Sequence, residues 1–129
     1  MTACEGHGGR TLWVHRKGAQ RVEPDLLGIV PGSMGSPSYH IAGRMVAEAL
    51  CSAAHGAGRA LPRGQARRHI RARQLDQQMR GVWFDARLRN PLREEAPAAY
   101  KNIGDVMRAQ HGLVRIVRQL RPVLVYKAV

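Results

Sequence analysis

The sequence predicts one α+β domain, and three observations point there. Apolar runs rich in Val, Ile and Leu are short and end at Gly or Pro; helical spacings occur only in brief stretches; and the two kinds of segment do not alternate as regular βαβ units. At 129 residues and 14.3 kDa the chain has room for a single core, so one domain is expected in these residues. The first ten residues, MTACEGHGGR, are small and polar and read as a disordered or truncated start, leaving 11–129 as one region.

The elements follow in order. Thr11 to His15 has strand composition and is broken by Gly18 and Pro24; Leu26 to Val30 reads as a buried strand stopped by Pro31. The loop 31–38, PGSMGSPS, is made of residues that favour tight turns and expose backbone N–H groups. Tyr39 to Ala42 predicts another strand. Met45, Val46, Ala49 and Leu50 share a helical face, so a short helix is expected to end near Cys51. Ala66, Ile70, Leu75 and Met79 drift off one face, which predicts two short helices with a break near Ala72. Val82 to Phe84 is strand-like, EEAPAAY turns around Pro97, and Ile103, Val106 and Met107 predict a helix beginning near Asn102. The terminal LVRIVRQLRPVLVYK reads as one or two strands bent at Pro122.

Charge narrows the partners. Twenty-one Lys and Arg oppose nine Asp and Glu, a net +12, which points to polyanions and chiefly to phosphates. The excess is 18 Arg to 3 Lys, which suits forked recognition of phosphate oxygens, although a coding bias towards Arg accounts for that choice equally well. Arg59, Arg63, Arg67, Arg68, Arg71 and Arg73 form a block with no acidic residue among them. Such a run is either a solvated helix face or a phosphate-facing field, and its position directly after HGAGR favours the second. No apolar run approaches a membrane span and the opening lacks the apolar centre of a signal peptide, so a cytoplasmic protein without a membrane partner is expected. Cys4 and Cys51 stand alone, and the six histidines form no ligand pair, so neither a disulfide framework nor a metal site is expected in this chain.

Two loops carry possible chemistry. Pro31-Gly32-Ser33-Met34-Gly35 can bring backbone N–H groups close to an anion, or be only a turn; it is neither a Walker-type phosphate loop nor a dinucleotide fingerprint. His55 lies among Ala53, Ala54, Gly56, Ala57 and Gly58, which leave its ring accessible, with Arg59 four positions on. A neutral imidazole can attack phosphorus and a neighbouring arginine can neutralise the phosphate; the plainer alternative is a surface histidine.

Five blocks, HRKGA at 15–19, LGIVPGSMGSPSY at 27–39, HGAGR at 55–59, EEAPAAYKNI at 94–103 and LRPVLVYK at 120–127, together resemble the C-terminal part of the RtcB family of RNA ligases. The resemblance implies joining of an RNA 3′-phosphate or 2′,3′-cyclic phosphate end to a 5′-hydroxyl end, with GTP and manganese, in RNA repair or tRNA splicing. It makes His55 the nucleophile that carries GMP. Pro31, Gly32, Ser33 and Met34 match the wall around the GTP phosphates and ribose, and Ser38 a hydrogen-bonding partner of the guanine. Gly56, Ala57 and Gly58 match the lining beside the nucleophile, Tyr100 the aromatic stacked on the base, and Lys127 the lysine that reads the guanine edge. Arg59 and Arg63 are candidates for phosphate and RNA-backbone contact. The family's manganese ligands belong to the earlier part of its fold, so the upstream portion is an expected partner, and an archease-like activator is a further candidate. The chain departs from the family at Lys127-Ala128-Val129, where Lys-Gly is usual, and at Pro62, where serine is common. The competing expectation is a non-catalytic basic remnant that binds GTP or RNA.

Overall fold

In the computed structural model, which describes residues 1–128, the chain begins with a hairpin: β1 (Thr2–His7) pairs antiparallel with β2 (Arg10–His15) through Gly8 and Gly9. The expected disordered start is therefore corrected. The small polar residues of β1 are ordered by a long-range contact that their composition does not signal: Glu5 is buried, and its carboxylate takes two hydrogen bonds from the Arg16 guanidinium (2.5 and 2.8 Å) and contacts His7 Nε2 at 2.8 Å. Arg16 also donates to Leu50 O and Ser52 Oγ, both at 2.8 Å, and so ties the hairpin to the body. Arg16, more than burial, holds the Glu5 carboxyl down at about 2, where burial alone would raise it. Val129, the last residue of the expected 11–129 region, lies outside the described residues.

β3 (Ala19–Arg21) pairs with β6 (Ser52–Ala54), and β4 (Gly28–Val30), β5 (Ser38–Gly43) and β7 (Val114–Leu120) form an antiparallel sheet in the order β4-β5-β7. Together with the helices these strands make the α+β fold that the sequence predicts. The helix expected over Met45 to Leu50 is reduced to one 3₁₀ turn, Ala47–Ala49. Leu50 and Cys51 turn into the left-handed region (φ 50° and 49°), which reverses the chain so that β6 can pair with β3 and Cys51 O can accept from Val22 N.

The two predicted short helices are α1 (Arg63–His69) and α2 (Ala72–Gln78), with the break at Ile70 and Arg71. Val82 to Phe84 contributes only a bridge between Trp83 and Leu124. A short α3 (Arg89–Leu92) flanked by 3₁₀ turns leads through the Pro97 turn to α4 (Ile103–Ala109), whose start is fixed by Asn102 Oδ1 accepting from Gly104 N and Asp105 N.

Two buried clusters hold these pieces. One joins Val30 and Ile41 from the strands, and Val22 just after β3, to Ala57, Ile103 and Met107. The other joins Ala66, Ile70, Leu75 and Met79, the apolar series read from the sequence, to Met34, Leu92 and Ala99. Tyr100 packs against both, so it stands at the seam between them.

Candidate functional site

The seam is where the glycine loops meet. Ala57 N–H donates to Pro31 O at 3.1 Å, which ties the HGAGR segment to the PGSMG loop. Lys101 N donates to Gly58 O, Ala60 N to Ala99 O, and Arg59 bridges Tyr100, so HGAGR also runs antiparallel to AAYK. Segments far apart in sequence thus share one backbone network. Gly58 takes φ +73°, which a side chain would strain. Gly32 is required for a different reason. A Cβ there would lie 2.1 Å from Pro37 O, because the loop folds back so that Gly32 N–H donates to Ser38 Oγ at 3.2 Å. Within that fold the Ser33 and Ser36 hydroxyls are 2.6 Å apart.

Pro31, Gly32, Ser33, Met34, Ser38, Tyr100 and Lys127 all line one cleft of about 380 Å³, within the size range of small-molecule sites. Ile29, Leu120, Pro122 and Val125 add apolar wall, and Arg121 adds a cation. The remaining site residues, His55, Gly56, Ala57, Gly58, Arg59 and Arg63, do not line this cleft. His55 is exposed, donates its backbone N–H to Gly18 O at 3.3 Å, and lines a separate concavity with Glu5, Arg16 and Arg21. Ala57 is buried in the strand-side core, and Gly56 would meet Pro31 O at 3.5 Å if it carried a Cβ.

Half of the arginine block is not the unopposed positive field that the sequence suggests: Arg59, Arg63 and Arg67 face carboxylates, whereas among the described residues Arg68, Arg71 and Arg73 have none within ion-pair distance. Arg63 and Arg67, one turn apart on α1, both reach Glu94: Arg63 at 3.1 Å to Oε1, and Arg67 through Nε to Oε2. Arg59 contacts Glu95 Oε1 at 3.4 Å and donates to Glu94 O, and Arg63 lies 3.5 Å from Glu95. The acidic partners come from a segment some thirty residues downstream, outside the block itself.

Glu94 and Glu95, read from the sequence only as part of a turn, are buried and organise the site. Glu95 Oε2 accepts from Tyr100 Oη at 2.5 Å and from Lys127 Nζ at 2.8 Å, while the Arg59 guanidinium sits 4.8 Å from the Tyr100 ring centroid. Burial opposes ionisation of Glu95, but the bonds from Lys127 and Tyr100 and the charge of Arg59 outweigh it and hold the carboxyl below its ordinary range. Burial and the adjacent Glu95 push the Tyr100 phenol up, so it remains a donor. The signal that could have exposed Glu95 is that Glu94 and Glu95 are adjacent carboxylates in a chain with only nine acidic residues against twenty-one Lys and Arg. Among the described residues no group of three or more His, Cys, Asp or Glu side chains could hold a metal ion, and no helix is long and apolar enough to cross a membrane.

Comparison with known proteins agrees with the five sequence blocks. The family model described as tRNA-splicing ligase RtcB matches residues 1–128. The chain is 37% identical over 124 residues to the RNA-splicing ligase RtcB of Escherichia coli K12, covering 95% of this chain and 30% of that protein. It is 38% identical over 130 residues to the RNA-splicing ligase RtcB of Mycobacterium bovis, covering 88% of this chain and 30% of that protein. To the tRNA-splicing ligase RtcB of Pyrococcus furiosus it is 37% identical over 133 residues, covering 88% of this chain and 14% of that protein. The chain spans less than a third of the length of these relatives, but across nearly all of its own length it belongs to the RtcB family of RNA-splicing ligases.

Proposed function

We propose that this chain is the guanylate-accepting portion of a GTP-dependent RNA ligase, which joins RNA 3′-phosphate or 2′,3′-cyclic phosphate ends to 5′-hydroxyl ends in RNA repair or tRNA splicing. The observation that carries this reading is the cleft. It gathers the PGSMG loop, Tyr100 and Lys127 from positions almost a hundred residues apart, and the HGAGR segment is bonded to its rim through Ala57 and Pro31.

The donor set fits a purine nucleotide. Lys127 keeps two of its three N–H donors beyond the one given to Glu95, enough to meet a carbonyl on the edge of guanine. Ser33 and Ser38 supply hydroxyls, and Tyr100 presents a ring to the cleft while Arg59 lies over it. GTP supplies the activated α-phosphate. His55 then attacks that phosphorus through a ring nitrogen: the N–P bond forms, the bond to pyrophosphate breaks, and the ring proton is lost. The RNA 3′-phosphate oxygen next displaces His55 and takes the GMP. The RNA 5′-hydroxyl attacks the activated 3′-phosphorus, forms the phosphodiester and releases GMP. The described residues do not provide a manganese site, and a metal-binding portion with the chemistry of the family would complete the centre.

The test is complementation. The 129-residue chain is mixed with the part of the Escherichia coli relative that it does not match, together with manganese and GTP labelled at the α-phosphate. An acid-labile label on this chain, absent in His55→Ala, is the expected result. No label in the mixture overturns the catalytic reading and leaves a basic chain that binds GTP or RNA without turning it over.

A further inference from the structure

We infer that a groove between Arg80 and Arg121, alongside the cleft, is a binding surface for the phosphate backbone of a single RNA strand; this rests on the ligase function proposed above and names where its RNA lies on this chain. Among the described residues, eight of the eighteen arginines face carboxylates, Arg21 with Glu23 among them. Arg59, Arg63 and Arg67 face Glu94 and Glu95, Arg16 faces Glu5, Arg87 faces Asp85, Arg89 faces Asp76 and Arg108 faces Asp105. Among the described residues Arg80 and Arg121 belong to the ten that have no carboxylate within ion-pair distance; both are exposed, and what sets them apart is that they share one groove.

The two lie on one groove of about 450 Å³, floored by Gly35, Pro37 and Gln119, with no acidic residue in its lining. A positive groove without a counter-charge attracts polyanions, and guanidinium forks engage phosphate oxygens in pairs. Its position makes a nucleic acid strand the fitting partner. Arg121 and Pro122 line both this groove and the nucleotide cleft, so a strand held by Arg80 and Arg121 runs directly up to the bound nucleotide. The Arg59–Arg67 cluster cannot do this as cheaply, because a phosphate there must displace carboxylates that are buried and already paired.

The experiment is fluorescence anisotropy of a labelled single-stranded oligoribonucleotide with the full 129-residue chain, over a series of salt concentrations. R80Q/R121Q is expected to weaken binding about tenfold and to flatten the slope of log K against log salt by about 1.4, roughly 0.7 for each single-strand phosphate that is no longer neutralised. R80K/R121K keeps the charges and is expected to keep the slope. R108Q, which removes a charge outside the groove lining that is already paired with Asp105, is expected to leave the slope unchanged. The inference is overturned if the chain does not bind RNA, if R80Q/R121Q binds with the parent affinity and slope, or if R108Q costs as much. It is also overturned if excess GTP displaces the RNA and R121Q alone accounts for the whole loss, because the groove then serves the nucleotide. Labelling of His55 is read separately in the complementation assay, so failure of the RNA surface and failure of the ligase function are distinguished.

Discussion

Replacing Glu95 by Gln removes one negative charge from the point where Tyr100, Lys127 and Arg59 converge. The acceptor Oε2 serves Tyr100 at 2.5 Å and Lys127 at 2.8 Å, and glutamine cannot accept both on one neutral oxygen as strongly. The bond from half-buried Tyr100 contributes about 1.5–2 kcal/mol as a charge-assisted interaction. The Lys127 side chain is 37% exposed, so its share is discounted for solvent to about 0.5–1 kcal/mol. Arg59 and Arg63 add little, because both keep contacts with Glu94. The total is about 2–3 kcal/mol. For 129 residues at roughly 2.1 cal/mol/K per residue, the unfolding entropy is near 0.27 kcal/mol/K, so Glu95→Gln lowers Tm by about 7–11 °C at pH 7.

The pH dependence separates charge from packing. The native carboxyl of Glu95 titrates below its ordinary value of 4.5, so its stabilisation is fully present above that value and is lost as pH falls through the native one. Melting curves followed by circular dichroism are therefore expected to show a constant gap between parent and variant above about pH 6, closing below about pH 4.5. A gap under about 2 °C at pH 7, or a full gap persisting at about pH 3, refutes the assignment of Glu95 as the charged organiser of the site.

Other substitutions probe the neighbouring parts of the site and the core. Tyr100→Ala removes the ring proposed to stack on the base and is expected to raise the GTP concentration needed for His55 labelling by about five- to 150-fold in the complemented enzyme, from roughly 1–3 kcal/mol of stacking, with labelling still reached at saturation; Tyr100→Phe retains most of that affinity. Gly32→Ala puts a Cβ 2.1 Å from Pro37 O, so the loop must open, and labelling is expected to fall by at least about tenfold, about 1.4 kcal/mol in the barrier. Leu75→Ala, at a fully buried position, is expected to cost about 2–5 kcal/mol by denaturant unfolding. Glu5→Gln is expected to destabilise the hairpin at pH 7, the difference from the parent disappearing as acid titrates the native carboxyl between about 4.5 and about 2.

Much of the fold is legible because local pattern and tertiary demand agree. Ala66, Ile70, Leu75 and Met79 fit poorly on one helical face, and the structure resolves the misfit by breaking the chain at Ile70 and Arg71, so that all four still reach one cluster. Asn102 and Pro31 mark boundaries by capping and by a missing N–H, which are properties of single residues. The failures have the opposite character. Met45 to Leu50 carries a helical pattern too short to stand alone, and the pairing of β6 with β3 decides its shape instead. β1 has weak strand composition, but Glu5 meets Arg16 from the following strand-to-loop segment, and one buried ion pair orders what composition leaves open.

The same distinction governs the site. The glycine loop and an exposed histidine among small residues can be read along the chain because their conformation is local, as in Gly32 beside Ser33 or His55 beside Gly56, while the nucleophilic role proposed for His55 rests on the family resemblance. Electrostatic roles cannot be read that way, since a charge is defined by what faces it. Arg59, Arg63 and Arg67 look like part of the strongest phosphate surface in sequence and are engaged by carboxylates in space, while Arg80 and Arg121, forty-one residues apart, acquire a shared groove only on folding. For a basic chain, then, net charge narrows the class of partner to test, and the candidate contact surface is sought by subtracting the arginines that the protein's own carboxylates have claimed and asking which of the rest share a groove.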